Sequence, residues 1–168
     1  MKKIYLSVVC LLISIPLIAQ LYVEPEKEVE CSVFLAKEGR GRAQQGLEIW
    51  DDYIFSCEDG GHVNIYDFKS ADPKPVAGFE LASSHPDNHV NNVCFGVETK
   101  RGASFPLLYI TNGKVGSELE WLCFVESITR RGKRFSSEIA QTIELDGSKW
   151  AEKGYVPIFG APSWLVDR

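Results

Sequence analysis

Several catalytic and metal-binding patterns are missing from this sequence. No Cys-x-x-Cys pair occurs, so a structural zinc site is not expected. No Gly-x-Ser-x-Gly segment exposes a nucleophilic serine, and Ser83 and Ser84 are therefore assigned to a loop before His85. No basic stripe occurs beyond the short cluster at residues 130–134, RRGKR, which argues against nucleic acid as a partner. The sequence predicts no catalytic residue, no metal and no cofactor.

The amino terminus carries a long apolar run. Lys2 and Lys3 precede an apolar stretch from Ile4 to Ala19 that only two serines and one proline interrupt. A basic start, an apolar middle and a small residue before the cut are typical of a secretory signal peptide. The run is also shorter than the roughly 20 apolar residues of a spanning helix. We predict a signal peptide at 1–19, a periplasmic or extracellular protein and no membrane span after cleavage; a membrane anchor is the alternative.

Charge and cysteine content fit an exported protein. The formal net charge is −5, and loss of residues 1–19 with their two lysines makes it −7. Oxidising compartments permit disulfides, and four cysteines would remain, with three possible pairings. The apolar runs YIFSC, NVCFG and WLCFV favour buried free thiols instead, because a cysteine there behaves as a small hydrophobic residue. The pairing of these cysteines therefore stays open: Cys31, Cys57, Cys94 and Cys123.

Short strand-like runs recur along the chain. The segment SCEDGGHVNIYDF at 56–68 predicts a hairpin whose turn is Asp-Gly-Gly. Glu80-Leu81 and Glu144-Leu145 each close a strand run, and a Phe-Gly pair follows each at the same spacing. Gln45-Gly46 is a weaker copy of the Phe-Gly pair. Between these landmarks lie runs rich in Val, Ile, Tyr, Phe and Trp, separated by Gly, Asn, Asp and Pro, which predicts four strands per unit.

The predicted fold is all-β: a partial β-propeller of about two four-stranded antiparallel blades plus the start of a third. Runs such as LLYI and WLCFV are apolar at consecutive positions, as expected when a sheet is covered on both faces. A β-sandwich is the alternative fold. The predicted organisation is an amino-terminal segment at 20–43 with one strand at 29–35, a first blade at 44–81, a second blade at 88–145 and an incomplete third blade at 159–168.

Particular stretches resemble known propellers. GHVNIYDF and FPLLYITNG are similar to strand motifs of WD-repeat-like and related propellers, and HPDNHVNNVCFG with FGAPSWLVDR resembles secreted bacterial propeller proteins of unassigned function. The resemblance covers roughly residues 29–168. It implies the fold and no reaction.

Too few units are present to close a ring, since propellers have four to eight blades. We therefore expect the chain to be a truncated piece of a longer protein; a short natural chain that closes by oligomerisation is the alternative. Sheet faces left uncovered at its ends would favour self-association. A product without independent activity is a further alternative.

The segment HPDNHVNN at 85–92 holds the densest group of polar side chains. Pro86 and Asn88 predict a loop rather than a helix, so His85 and His89 do not form a helical metal pair. This loop leads into the innermost strand of the second blade, and His89, Asn91 and Asn92 are predicted to bind a ligand at the channel end. The predicted function is a binding or interaction module of the cell envelope for a protein or glycan. A lactonase-like or lyase-like enzyme acting on a small molecule or glycan is the alternative.

Overall fold

The computed structural model describes residues 43–70, 72, 74–155 and 164. They form two four-stranded antiparallel sheets, each a meander in sequence order. The first sheet contains β1 (Gln44–Trp50), β2 (Tyr53–Glu58), β3 (His62–Asp67) and β4 (Ala77–Glu80). The second contains β5 (Asn92–Phe95), β6 (Leu108–Thr111), β7 (Leu122–Arg131) and β8 (Arg134–Glu144), and a single helical turn, α1 (Ser148–Ala151), follows. The all-β prediction with two four-stranded antiparallel sheets is confirmed.

Glycines form the turn between β2 and β3. Gly60 and Gly61 have φ angles of 85° and 94°, which side-chain-bearing residues rarely adopt. A Cβ atom on Gly61 would also lie 2.9 Å from the Cα atom of Ser84. The predicted Asp-Gly-Gly reversal is therefore required twice, by backbone conformation and by the close approach of the loop that contains Ser84.

The two sheets pack face to face through an aromatic core. β1 lies beside β5, and β4 lies beside β8. The Phe55 ring of the first sheet contacts Phe95 and Phe105 edge-on, with ring centroids 5.0 and 5.1 Å apart. Gly46 permits close approach, since a Cβ atom there would lie 3.0 Å from a methyl group of Val93. This core accounts for much of the apolar burial that stabilises the described residues.

Residues on the outer faces of the sheets are also shielded from solvent. Ile54 and Tyr66 lie on the face of the first sheet that points away from the second, and both are buried. Cys123 and Val125 are buried on the corresponding outer face of the second sheet. The consecutive apolar positions of β2 and β7 thus match burial on both sides of each sheet.

Several predictions fall outside the described residues: the signal peptide at 1–19, the strand at 29–35 and, except for Trp164, the third blade at 159–168. The backbone N–H of Trp164 donates to Oδ1 of Asn92 over 3.1 Å, and its ring lies 5.4 Å from that of Tyr109. No helix in the described part of the chain is long and apolar enough to cross a membrane.

The described cysteines Cys57, Cys94 and Cys123 are free thiols. Burial raises the pKa of the Cys57 thiol strongly, and the nearby Glu126 carboxylate raises it further. Burial also raises the pKa of Cys123. Both thiols therefore stay protonated at neutral pH, as expected for cysteines that pack as small hydrophobic residues.

Candidate functional site

Three connections lie together at one end of the two sheets, which we call the loop end: the β2–β3 turn (59–61), the β4–β5 loop (81–91) and the β6–β7 loop (112–121). Successive connections of an antiparallel meander alternate between its two ends. The remaining connections therefore lie at the opposite end, which we call the hairpin end. Backbone hydrogen bonds join the first two connections, from Gly60 N–H to the Asn88 carbonyl (2.7 Å) and from His85 N–H to the Gly60 carbonyl (3.2 Å).

A buried asparagine fixes the shape of the β4–β5 loop. Asn88 is 1% exposed, and its amide donates to the carbonyl of Ser83 over 2.9 Å. Its Oδ1 atom accepts from the backbone N–H of Val90 over 3.2 Å. A buried amide that is satisfied on both sides behaves as a rigid support, so the loop is preorganised.

A buried carboxylate attaches the same loop to the second sheet. Glu126 on β7 is fully buried, and its two oxygens accept from the backbone N–H groups of Ala82 and Ser83, each over 2.9 Å. Charge-assisted hydrogen bonds of this kind are stronger than neutral ones. Glu126 therefore holds the start of the loop in a fixed position between the two sheets.

Backbone strain occurs next to the predicted ligand residues. Val90 has a φ angle of 39° and is fully buried. A β-branched residue with positive φ is a rare conformation that costs about 1–3 kcal/mol and persists only where neighbouring contacts enforce it. Here the hydrogen bond to Asn88 is one such contact. Strain of this kind concentrates at functional sites.

The three predicted ligand residues lie at the junction of the sheets. His89 Nε2 is 3.2 Å from Oδ1 of Asp59 and 3.1 Å from the Gln45 side-chain amide, so this imidazole links the β4–β5 loop to the first sheet. The Asn91 backbone N–H donates to the Thr111 carbonyl over 3.1 Å. Asn92 begins β5, and its side chain accepts from Trp164. The His89 and Asn92 side chains thus make packing contacts as well as lying at the loop end.

A charged cluster that the sequence did not reveal lies beside them. The imidazole of His85 accepts from the Asp87 N–H at Nδ1 (3.1 Å), and its Nε2 lies 3.2 Å from Oε1 of Glu118. The Lys114 ammonium donates to the Asp87 carboxylate. This hydrogen bond lowers the pKa of Asp87 below its usual range, and the charges of Lys114 and His85 add to the effect.

The cluster has the donor types of a cation site. Ligand atoms of His85, Asp87 and Glu118 lie within 4.8 Å of one another. Lys114 already neutralises Asp87, so a divalent cation would have to displace its ammonium group. Sequence reasoning missed Lys114 and Glu118 because they belong to the β6–β7 loop, which lies near residues 85–87 only because β5 pairs with β6 in the second sheet.

Side-chain exposure separates two layers at the loop end. The support layer, with Asn88 and Glu126, is buried, whereas Lys114 and Glu118 have 45% and 70% of their side-chain surface exposed. Rigid support beneath exposed polar groups is the usual arrangement of a binding loop.

No protein-family model matches this sequence, and no curated protein matches it at a significant level.

Proposed function

We propose that this chain is part of an exported β-propeller protein and serves as a binding module of the cell envelope, with its ligand at the loop end. The single observation that carries the binding role is the preorganised β4–β5 loop. Buried Asn88 and Glu126 fix this loop, and it presents charged side chains together with the β6–β7 loop of the second sheet.

Matching hydrogen bonds in the two sheets support the propeller. The Leu81 N–H donates to the Gly61 carbonyl and the Leu145 N–H donates to the Trp121 carbonyl, both over 2.8 Å. In each case the leucine follows the last strand of a sheet, and the acceptor precedes the third. The two Glu-Leu landmarks of the sequence therefore occupy equivalent positions. Gln45-Gly46 does not match Phe95-Gly96, because it begins β1 whereas Phe95 ends β5.

This equivalence determines which faces of the two sheets meet. Val63 and Phe79 of the first sheet belong to the core between the sheets. Their equivalents are Cys123 and Ile143, which lie on the face of the second sheet that points away from the first. Unlike faces thus pack together, in a head-to-tail order. Head-to-tail contacts generate rings when the rotation closes, which favours a propeller over a sandwich.

Binding is favoured over catalysis by the state of the charged cluster. A catalytic acid or base must be accessible to substrate and have a pKa suited to proton transfer. Asp87 is instead held ionised by Lys114. An ion pair with exposed edges is better suited to recognising polar groups of a ligand than to transferring a proton.

The experiment is a titration of the purified protein with defined cell-wall oligosaccharides and peptides, measured by calorimetry. We expect one of these ligands to bind, and we expect the variant Lys114→Ala/Glu118→Ala to lose that binding. The matched control is Lys69→Ala/Asp52→Ala, which removes a lysine and a carboxylate that form an ion pair at the hairpin end, and it is expected to bind normally. Binding that survives in the loop-end variant, or no binding of any tested ligand, would contradict the proposal.

A further inference from the structure

The β7–β8 hairpin concentrates positive charge on an acidic chain. The net charge is −5, yet four cations lie within five consecutive positions at the hairpin end, and all four are exposed: Arg130, Arg131, Lys133 and Arg134. Three lysines elsewhere pair with carboxylates: Lys69 with Asp52, Lys100 with Glu138 and Lys114 with Asp87. None of the four hairpin cations pairs with a carboxylate of the described residues. Their charge is therefore available to a partner.

The register of the hairpin places two arginines directly opposite each other. Arg131 pairs with Arg134 across the two-residue turn. Like charges directly opposite destabilise an antiparallel pair, so this arrangement costs stability in the absence of an anion. An unfavourable pair that forms no ion pair with a carboxylate in the described part of the chain indicates a role in binding.

Hydroxyl groups continue the same face of the hairpin. The next rungs are Thr129 opposite Ser136 and Ser127 opposite Glu138, and the Glu138 carboxylate is paired with Lys100. Together with the two arginines, these side chains line an open groove of about 610 Å³. The groove thus offers guanidinium donors at its tip and hydroxyl groups along its length, a combination that suits anionic groups carried on a hydroxyl-rich ligand.

The turn is held rigid from its opposite face. The Arg130 guanidinium lies 4.9 Å from the centre of the Tyr53 ring, and its Nε donates to the Gly132 carbonyl over 2.8 Å. Gly132 has a φ of 62°, the conformation expected at the first position of a type II′ hairpin turn. Arg130 therefore anchors the turn, while Arg131 and Arg134 project from the other face. A turn held in this way has less backbone freedom to lose when a ligand binds.

We propose that this groove binds an anionic oligosaccharide, with Arg131 and Arg134 holding its sulfate or carboxylate groups and the hydroxyl groups of the Thr129–Ser136 rung contacting the sugar. A long polyanion such as nucleic acid fits less well, because the rest of the chain is acidic and repels it. The proposal does not depend on the propeller or on the loop end, since it concerns a different surface.

The test uses a chondroitin sulfate tetrasaccharide as probe and neutral chitotetraose as its control, with binding to the purified protein measured by calorimetry. We expect Arg131→Gln/Arg134→Gln to weaken binding of the sulfated probe by at least about tenfold. The matched control Lys74→Gln/Lys149→Gln removes two exposed lysines elsewhere and is expected to stay within about twofold of the parent. Chitotetraose is expected to bind far more weakly than the sulfated probe.

Thermal unfolding distinguishes loss of the site from loss of the fold. Because the two arginines oppose each other, the variant Arg131→Gln/Arg134→Gln is expected to melt no lower than the parent without ligand. Equal weakening in both double variants, or no binding of the sulfated probe, would overturn the proposal. Tighter binding of a single-stranded RNA oligomer or of phosphatidylglycerol vesicles at the same arginines would overturn the assignment to a glycan.

Discussion

Asp87 and Lys114 join the β4–β5 loop to the β6–β7 loop through one ion pair. The hydrogen bond from Lys114 is the main cause of the lowered pKa of Asp87. Both side chains are partly exposed, so solvent screens the interaction and limits its contribution to stability. The ion pair matters mainly because it sets the distance between the two loops that we assign to ligand binding.

Removing the ammonium group should return the pKa of Asp87 toward its ordinary value. We expect this shift in Lys114→Met, followed by carboxyl NMR titration, and no shift in Lys69→Met, which loses a lysine paired with Asp52. A lowered folded-state pKa contributes stability that is present above the ordinary carboxyl pKa and is lost as pH falls through the lowered value. The parent and Lys114→Met should therefore differ in unfolding free energy above about pH 4 and converge in stronger acid.

The cysteines should differ in reactivity according to burial. Cys57 and Cys123 are buried and their pKa values are raised, whereas Cys94 is half-buried. Because the thiolate is the reactive form, iodoacetamide should alkylate Cys94 first and the other two only after unfolding. Mass spectrometry of the three cysteine peptides measures this order. Rapid alkylation of Cys57 in the native protein would contradict the burial described here.

Residue-level contacts were the least predictable from sequence. The apolar neighbours of Cys57 and Cys123 were sufficient to predict buried thiols, whereas the similar run around Cys94 was not, because the structure leaves that thiol half-buried. Contact of Glu118 with His85 depends on the pairing of β5 with β6, and residues 33 positions apart carry no local signal of proximity. The arginine pair 131 and 134 lies in the basic segment RRGKR, whose sequence does not indicate that the two arginines are directly opposite each other.

At the scale of strands and loops, the β4–β5 connection is irregular yet firmly held. It contains the strained Val90 and the buried Asn88, and Glu126 fixes its first residues. A loop with this many buried hydrogen bonds has little freedom to move, so a ligand at the loop end would meet a preformed surface.

Loss of the Glu126 carboxylate should destabilise the protein. Glu126→Ala leaves the buried Ser83 N–H without its acceptor, whereas Ala82 N–H retains the hydroxyl of Ser137 at 2.8 Å. We expect a loss of about 2–3 kcal/mol in urea unfolding. Glu138→Gln, which changes an exposed carboxylate on β8, should cost at most about 0.5 kcal/mol. Similar losses in both variants would show that Glu126 is not a support.

Strands could be predicted from the sequence where the residues of the turn between them have strong conformational preferences. Gly60 and Gly61 specify a reversal by their positive φ angles, so β2 and β3 could be predicted from Asp-Gly-Gly and the runs beside it. The interpretation of Gln45-Gly46 as a repeat landmark was wrong, because a dipeptide does not determine whether it lies at the start or at the end of a strand. Its glycine instead permits the close approach of Val93 from the second sheet, a tertiary requirement.

At the scale of the whole molecule, the two described sheets share one core and should unfold together. Phe55 contacts three aromatic rings of the second half of the chain: Phe95, Phe105 and Phe135. Neither sheet can bury its inner face without the other. The described sheets are therefore expected to behave as one cooperative unit.

Truncation of Phe55 tests this cooperativity. Phe55→Ala should cost about 3–5 kcal/mol, and native-state hydrogen exchange should accelerate in β2 and in β6 to a similar extent. Leu47→Ala, at a position 56% exposed on β1, should change stability by no more than about 0.5 kcal/mol. Selective loss of protection in the first sheet alone would indicate two independent folding units.

The head-to-tail order that we propose for the two sheets has a consequence for how such a chain can change over evolution. The two faces of each sheet differ. A duplicated sheet inserted between two existing sheets would therefore pack against a matching face on each side. A substitution at Phe55 cannot be compensated by the same substitution at its equivalent, Tyr109, because the two side chains face different partners. Under this proposal a further sheet is easy to add, yet each added sheet must then accumulate its own substitutions.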